Sequence, residues 1–404
     1  MTINKKMIGK ICASYVLCWT FIPPMQVGTL YRLIAVMCAG IWILLTINKD
    51  YLRRNQWYLF WMLVSTLSMI ILKRMAFSSG KMAITSTLQW IIMLLIGMIV
   101  LYYLKYDRDY LYCMYTVILV LVAVFSITTI QACIVDPYSS RIANSEWLET
   151  RFEGNENVGL YGYIFMAVFM EPCLLYVIKK KIKVNKVFNL FVWVDAFLIA
   201  AMVATAGYSL AITCTFFSCV IVILFDRKHI IRSIFVLAII VIIGLNYKFI
   251  FNGIFDWMLK ITSSNVVYQG KISEFQQFFF DGSVSGDLAE RFKNYSGSWQ
   301  SIINYPFIGC YFFGESGGGG HSFLLDSIGK FGWVIGTIDI YLILIKPFKM
   351  CKHKKKNILD YSMFVTWIVF LFFDPLSQEL AISCFLIYPV TQLLADGTHI
   401  NNNR

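Results

Sequence analysis

Between Val187 and Phe225 the chain runs for 39 residues with a single charged side chain, Asp195. A hydrocarbon core about 30 Å thick is crossed by roughly 20 helical residues, so this stretch is too long for one span and just long enough for two. The small-residue segment Thr205-Ala206-Gly207-Tyr208-Ser209 lies at its centre, where a hairpin would reverse. The flanking charges favour the hairpin. It places the basic segments 179 to 186 (KKKIKVNK) and 226 to 232 (DRKHIIR) on the same side, whereas a single span would separate them.

The same ruler gives about twelve spans along the chain, the first near residues 8 to 22 and the last near 379 to 395. With 58% hydrophobic and 14% charged residues, and a mean hydropathy of +0.67, the expected class is an all-α integral membrane protein. Residues 1–250 are expected to hold nine spans and an outer loop at 136–157. Residues 251–321 form one large extracytoplasmic loop with short helices, and 322–404 hold three further spans and a cytoplasmic tail. No small-residue cleavage site follows the first apolar run, which is read as a span rather than a removed leader.

Most of the 35 Lys and Arg fall at the N-terminus and in every second loop, which puts both termini in the cytoplasm. The segment from Lys73-Arg74 to Lys81, on the opposite side, runs against that trend. A net charge of +12 on such a chain meets anionic membrane lipid and is not a nucleic-acid signal. The eleven cysteines show no metal-ligand spacing and read as small core residues. Glu171 and Asp195 fall inside spans, where packing or polar contacts between helices are expected of them.

The polar residues concentrate in the two outer loops. In the longer one, IFNGIFDWMLKI (250 to 261) and KISEFQQFFF (271 to 280) read as short aromatic-rich helices lying in the interface. Asp287, with Glu290 three residues on, caps a helix that should run to about Tyr305, before Pro306. Helical spacing predicts a buried stripe of Leu288, Phe292, Tyr295, Trp299 and Ile302, with Arg291 on its border. PFIGCYFFGESGGGGH follows, its glycines giving the backbone close approach or freedom to flex before His321 at the start of the tenth span. Asp326 and Lys330, four apart, are placed to pair on that helix. The shorter loop ends in Arg151-Phe-Glu153-Gly154-Asn155-Glu156-Asn157 before a span, where loop amides, a helix N-terminus and a guanidinium suit an anion.

These elements together resemble the O-antigen polymerase and ligase superfamily, and most closely its Wzy-type polymerases of capsular and exopolysaccharide repeat units. The resemblance rests on Arg-x-x-Gly-Asn-x-Asn before a span, the TAGYS turn about fifty residues on, and Arg...Trp...Pro-Phe-Ile-Gly...Gly-His-Ser-Phe-Leu in the long loop. It covers residues 140 to 345. The chain departs from the family in Glu156, where Asn-Pro-Asn is common, in Tyr208-Ser209, where a Ser-Arg pair is common, and in Ser322, where Asn often follows the histidine.

The resemblance implies glycosyl transfer from a polyprenyl-diphosphate-linked oligosaccharide to a sugar hydroxyl, without metal or other cofactor, at the outer face of a bacterial plasma membrane. It also implies chain-length regulator and flippase proteins as partners. Arginine then compensates the diphosphate charge. Arg291 is assigned to the diphosphate, with Arg151, Asn155 and Asn157 as a second clamp. His321 is the group to orient or deprotonate the acceptor hydroxyl, since an imidazole titrates near neutral pH. Glu153, Glu156 and Glu290 are alternative bases, and Trp299 is assigned to glycan binding.

Two other activities share many of these features. A ligase that moves the finished glycan to a terminal acceptor would use nearly the same site. A flippase of lipid-linked oligosaccharide would be built from two related halves with charges lining a central cavity. The sequence has no such repeat.

Overall fold

The computed structural model describes residues 4–77, 80–136, 139–140, 157–224, 247–262, 266–281, 286–315, 317, 319–350 and 357–401. Arg151, Glu153, Asn155 and Glu156 lie outside them, as does the expected span 231–249 apart from its last three residues.

The described residues are mainly helical, with no strand among them. Besides the short turns Pro23–Val27 and Cys310–Phe313, the helices in chain order are α1 (Lys5–Phe21), α2 (Thr29–Thr46), α3 (Lys49–Ala76), α4 (Gly80–Tyr106), α5 (Arg108–Val135), α6 (Tyr161–Lys180), α7 (Lys186–Ala206), α8 (Ser209–Leu224), α9 (Tyr247–Ile261), α10 (Val266–Asp281), α11 (Gly286–Asn304), α12 (Phe323–Ile340) and α13 (Ile358–Phe373). A π turn, Tyr341–Ile345, carries α12 on to Met350, and a second, Ile382–Ile387, opens the last helix, α14 (Tyr388–Asn401). Seven of the described helices are long and apolar enough to cross a membrane. The interfacial segments expected at 250 to 261 and 271 to 280 are helical as α9 and α10.

Short polar side chains start these helices where the sequence places them. Asn48, Asp107, Asn185 and Ser322 each accept an otherwise orphaned first-turn N–H. Gly207, with φ +64°, ends α7 in the left-handed conformation. The stretch from Val187 to Leu224 is therefore two helices joined at the expected turn. Helix α6 is the central column. Residues Gly162 to Leu174 are buried without interruption, so apart from Glu171 its sequence is apolar on every side, with α7, α8 and α13 packed around it.

Three sequence expectations need correction. Helix α12 is not one straight rod but is broken at Gly332, whose φ of +76° and ψ of 171° are not helical. A Cβ on Gly336 would lie 2.5 Å from the Ser327 carbonyl oxygen. Nine residues of straight helix span about 13.5 Å, so the two halves must fold back on each other. The break releases the Trp333 N–H from the ladder, and it donates instead to the Pro306 carbonyl at 2.8 Å. The loop and the break are in backbone contact: a Cβ on Gly309 would lie 2.2 Å from the Lys330 carbonyl oxygen, and one on Gly332 equally close to that of Phe307.

The face of α11 is also different from the expected stripe. Ile302 is buried as expected, but Phe292 and Trp299 are exposed, at 48% and 57%, and Ser298 and Ser301 are buried in their place. The reason is close backbone approach, since the buried face meets Gly329 of α12, where a Cβ would lie 3.0 Å from the Ser298 carbonyl oxygen and 3.2 Å from Ser301 Cβ. Small residues line the contact and the large rings point away. Finally, Lys73 is not in a loop. Helix α3 continues to Ala76, and Lys73 feels the charges of Asp339 and Lys330 inside the helical assembly.

Candidate functional site

Four of the sequence elements singled out above meet at the C-terminal end of α13. Residues Phe373 and Asp374 form the meeting point. The last carbonyls of a helix lack intrahelical donors and carry its negative end. Here Arg291 Nη1 donates to the Phe373 carbonyl at 3.0 Å, and the Tyr295 hydroxyl, one turn along α11, donates to the same oxygen at 3.1 Å. The guanidinium also faces the Asp374 carboxylate, Nη1 to Oδ2 3.9 Å, close enough for an ion pair but too long for a hydrogen bond.

The glycine-rich segment reaches the same place. Phe323 N–H donates to the Asp374 carbonyl at 3.1 Å. Ser322, the N-cap of α12, accepts from Leu325 N–H at 3.2 Å, with its hydroxyl 3.5 Å from the Leu371 carbonyl oxygen. His321, directly before that cap, is half-buried. Its position is fixed from the other side by Asp326, which accepts from the Gly320 N–H at 2.7 Å, the Ser298 hydroxyl at 2.5 Å and Lys330 Nζ at 3.2 Å. The expected Asp326–Lys330 pair is present and half of a larger hub. Gly319, at φ +107°, leaves no room for a Cβ, which would fall 2.1 Å from Asp326 Oδ1. At this position glycine serves close approach to Asp326.

From the other side of α13 come the start of α6 and the TAGYS turn. Gly159 N–H donates to the Thr129 hydroxyl and Thr128 donates to the Asn157 carbonyl, both at 2.7 Å, which ties the end of the shorter loop to α5. Tyr161, the first residue of α6, directs its buried hydroxyl at the Asp374 carboxylate without reaching hydrogen-bond geometry. Its ring packs edge-on against Tyr208 of the turn, centroids 5.3 Å apart. Beneath, Phe323 stacks on Trp90, whose Nε1–H donates to Ser65 Oγ at 2.9 Å, and Ser65 in turn donates to Asp339 at 2.5 Å.

Two ionisable groups define the electrostatics. Burial alone would lower the Arg291 pKa, but Asp374 and Tyr295 outweigh it and the net shift is upward, so the cation is held. Burial pushes the Asp374 carboxyl up to about 6, against the pull of Tyr161 and Arg291. Its Oδ2 is buried and accepts no hydrogen bond. The arrangement therefore presents a fixed guanidinium beside a carboxylate with an open acceptor, which is equipment for holding an anion and taking a proton.

Of the expected site residues, Arg291 and the His321-Ser322 segment are brought together at one helix end. The Asn157 side chain, Glu290 and Trp299 are exposed, and Arg151, Glu153 and Asn155 fall outside the described residues. Asp374 was not anticipated. Its signal was available in FFDPLSQEL, an acid before proline at the end of an apolar run. Among the described residues no group of three or more His, Cys, Asp and Glu side chains is placed to hold a metal ion. Compared with protein-family models and with curated proteins, the chain has no match.

Proposed function

We propose that this protein is a polysaccharide polymerase that transfers a glycan from a polyprenyl-diphosphate-linked oligosaccharide to a hydroxyl of another lipid-linked unit. The reading includes about twelve spans, cytoplasmic termini and a site open to the outer face of a bacterial plasma membrane. The observation that carries it is the convergence of Arg291, the segment beginning at His321, and Asp374 on the end of α13.

In this reading Arg291, held by Phe373 and Asp374, turns its remaining N–H donors to the diphosphate. A guanidinium fixed before reaction pays no reorganisation cost as charge develops on the leaving group, and such stabilisation is worth about 3 kcal/mol. The acceptor hydroxyl loses its proton as its oxygen attacks the anomeric carbon and the bond to the diphosphate oxygen breaks. His321 or Asp374 takes that proton. Arg151, Asn155 and Asn157 complete the diphosphate clamp, Glu153, Glu156 and Glu290 remain alternative bases, and Trp299, exposed on α11, offers a ring to a sugar face. Chain-length regulators and a flippase are the proposed partners.

The test is made in the source cell. With Arg291→Ala or His321→Ala at normal membrane levels, the surface glycan should collapse from a ladder to single lipid-linked repeat units exposed outside. Repeat units trapped inside would instead mark a flippase, and a normal ladder from both variants would end the assignment.

A further inference from the structure

Away from that site, Glu171 and Asp195 are buried near the middle of two helices packed together, α6 and α7. Asp195 is 0% exposed and neither of its carboxylate oxygens has a hydrogen-bond partner, and Glu171 is 3% exposed with Oε2 likewise unpartnered. The charge of Glu171 bears on Asp195. Among the described residues neither acid forms an ion pair. The titratable groups around them are Tyr163 and Cys173 on α6, Tyr115 on α5 and Cys219 on α8. All of these are neutral at physiological pH by their ordinary values. The Tyr115 hydroxyl is engaged with Thr391 Oγ1 at 3.0 Å.

Two dry carboxylates with no cationic partner cannot both keep their charge, because the cost of burying even one unpaired ion is several kcal/mol. Something positive must accompany them. The sequence supplies a further oxygen at this depth. Pro172, within α6, has no N–H, so the Val168 carbonyl one turn earlier loses its helical donor on the same face as Glu171.

We propose that Glu171 and Asp195, with the Val168 carbonyl, form an intramembrane site for a monovalent cation, either H⁺ or Na⁺. Oxygen-only ligands and low dielectric suit a small hard cation, and a freed carbonyl beside an intrahelical proline is the kind of backbone group that coordinates ions within bundles. The helices that carry the acids end at Tyr161 and Gly207, so the bound cation also fixes the spacing of the two helices that frame the Asp374 site.

Purified full-length protein in lipid nanodiscs tests this with two readouts. The first is the unfolding temperature as Na⁺ replaces choline at constant ionic strength. The second is infrared absorption of a protonated carboxyl near neutral pH. A Na⁺ site gives an unfolding temperature that rises with Na⁺ in the wild type and no longer responds in Glu171→Gln/Asp195→Asn. A proton site gives a stability indifferent to Na⁺ together with a protonated-carboxyl band, absent from the same double variant, whose neutral isosteres preserve the fold. A wild type with neither response, or a double variant that keeps the wild-type response, overturns the proposal.

Discussion

Arg291 of α11 donates a hydrogen bond to the carbonyl of Phe373, 82 residues further along the chain, and thereby caps α13 with a cation. One guanidinium thus closes a helix end and faces Asp374. Arg291→Lys keeps the charge but offers a point ammonium in place of the planar fork, so it cannot hold Phe373 and an anion together. On the proposed function, the expected loss of polymerising activity is about 100-fold, with membrane levels near those of the wild type. Counting repeat units per chain in membranes of equal protein content checks it.

Asp374 makes stability depend on pH. Its folded-state pKa of about 6 lies above its ordinary 3.8, so its contribution is fully present below about pH 4 and is lost as pH rises through about 6. The side chain is 4% exposed, and the expected loss across that window is on the order of 2 kcal/mol. Thermal unfolding from pH 4 to 7 should show the decline in the wild type and a flatter curve in Asp374→Asn. The same variant separates the two proposed bases. If Asp374 takes the proton, its replacement removes the rise of activity with pH; if His321 does, that rise remains.

Asp326 serves three donors at once, from Gly320, Ser298 and Lys330. Asp326→Ala strands buried donors and releases the segment carrying His321, at a cost of about 3 kcal/mol. Lys330→Met removes only one of the three and is expected to cost less than half as much. Unfolding temperatures of the two variants, measured side by side, give the order.

Gly309 and Gly332 both sit at φ +76°, each with a neighbouring backbone carbonyl in the space a Cβ would need. Alanine at either position combines strain with a backbone clash and is expected to cost about 3 kcal/mol or more. Gly253, inside α9 with nothing within 4 Å of a Cβ, is the contrasting case. There alanine should be neutral or stabilise by about 0.5 to 1 kcal/mol.

These glycines also mark what sequence reasoning reaches and what it misses. Local rules found the turn at Gly207 and the Asp326–Lys330 pair, because each depends on residues within a turn or two. The break at Gly332 lies in the middle of an apolar run, and hydropathy averages over it. Only its distant partner, the Phe307–Gly309 backbone, gives it meaning. The α11 stripe was misread for a related reason. Helical spacing favours large rings on a buried face, but α11 and α12 approach too closely to seat them and meet through serine and glycine, so Phe292 and Trp299 are turned out. Asp374 escaped notice because its importance comes from what converges on it.

The most direct measurement uses purified protein in proteoliposomes, supplied with a polyprenyl-diphosphate oligosaccharide and excess chelator, and reads the length of lipid-linked glycan over time. Multiples of the repeat unit formed by the wild type, and none by Arg291→Ala, are the predicted result. Failure of the wild type to extend the substrate, or equal extension by the two proteins, would contradict a guanidinium-assisted transfer at the end of α13.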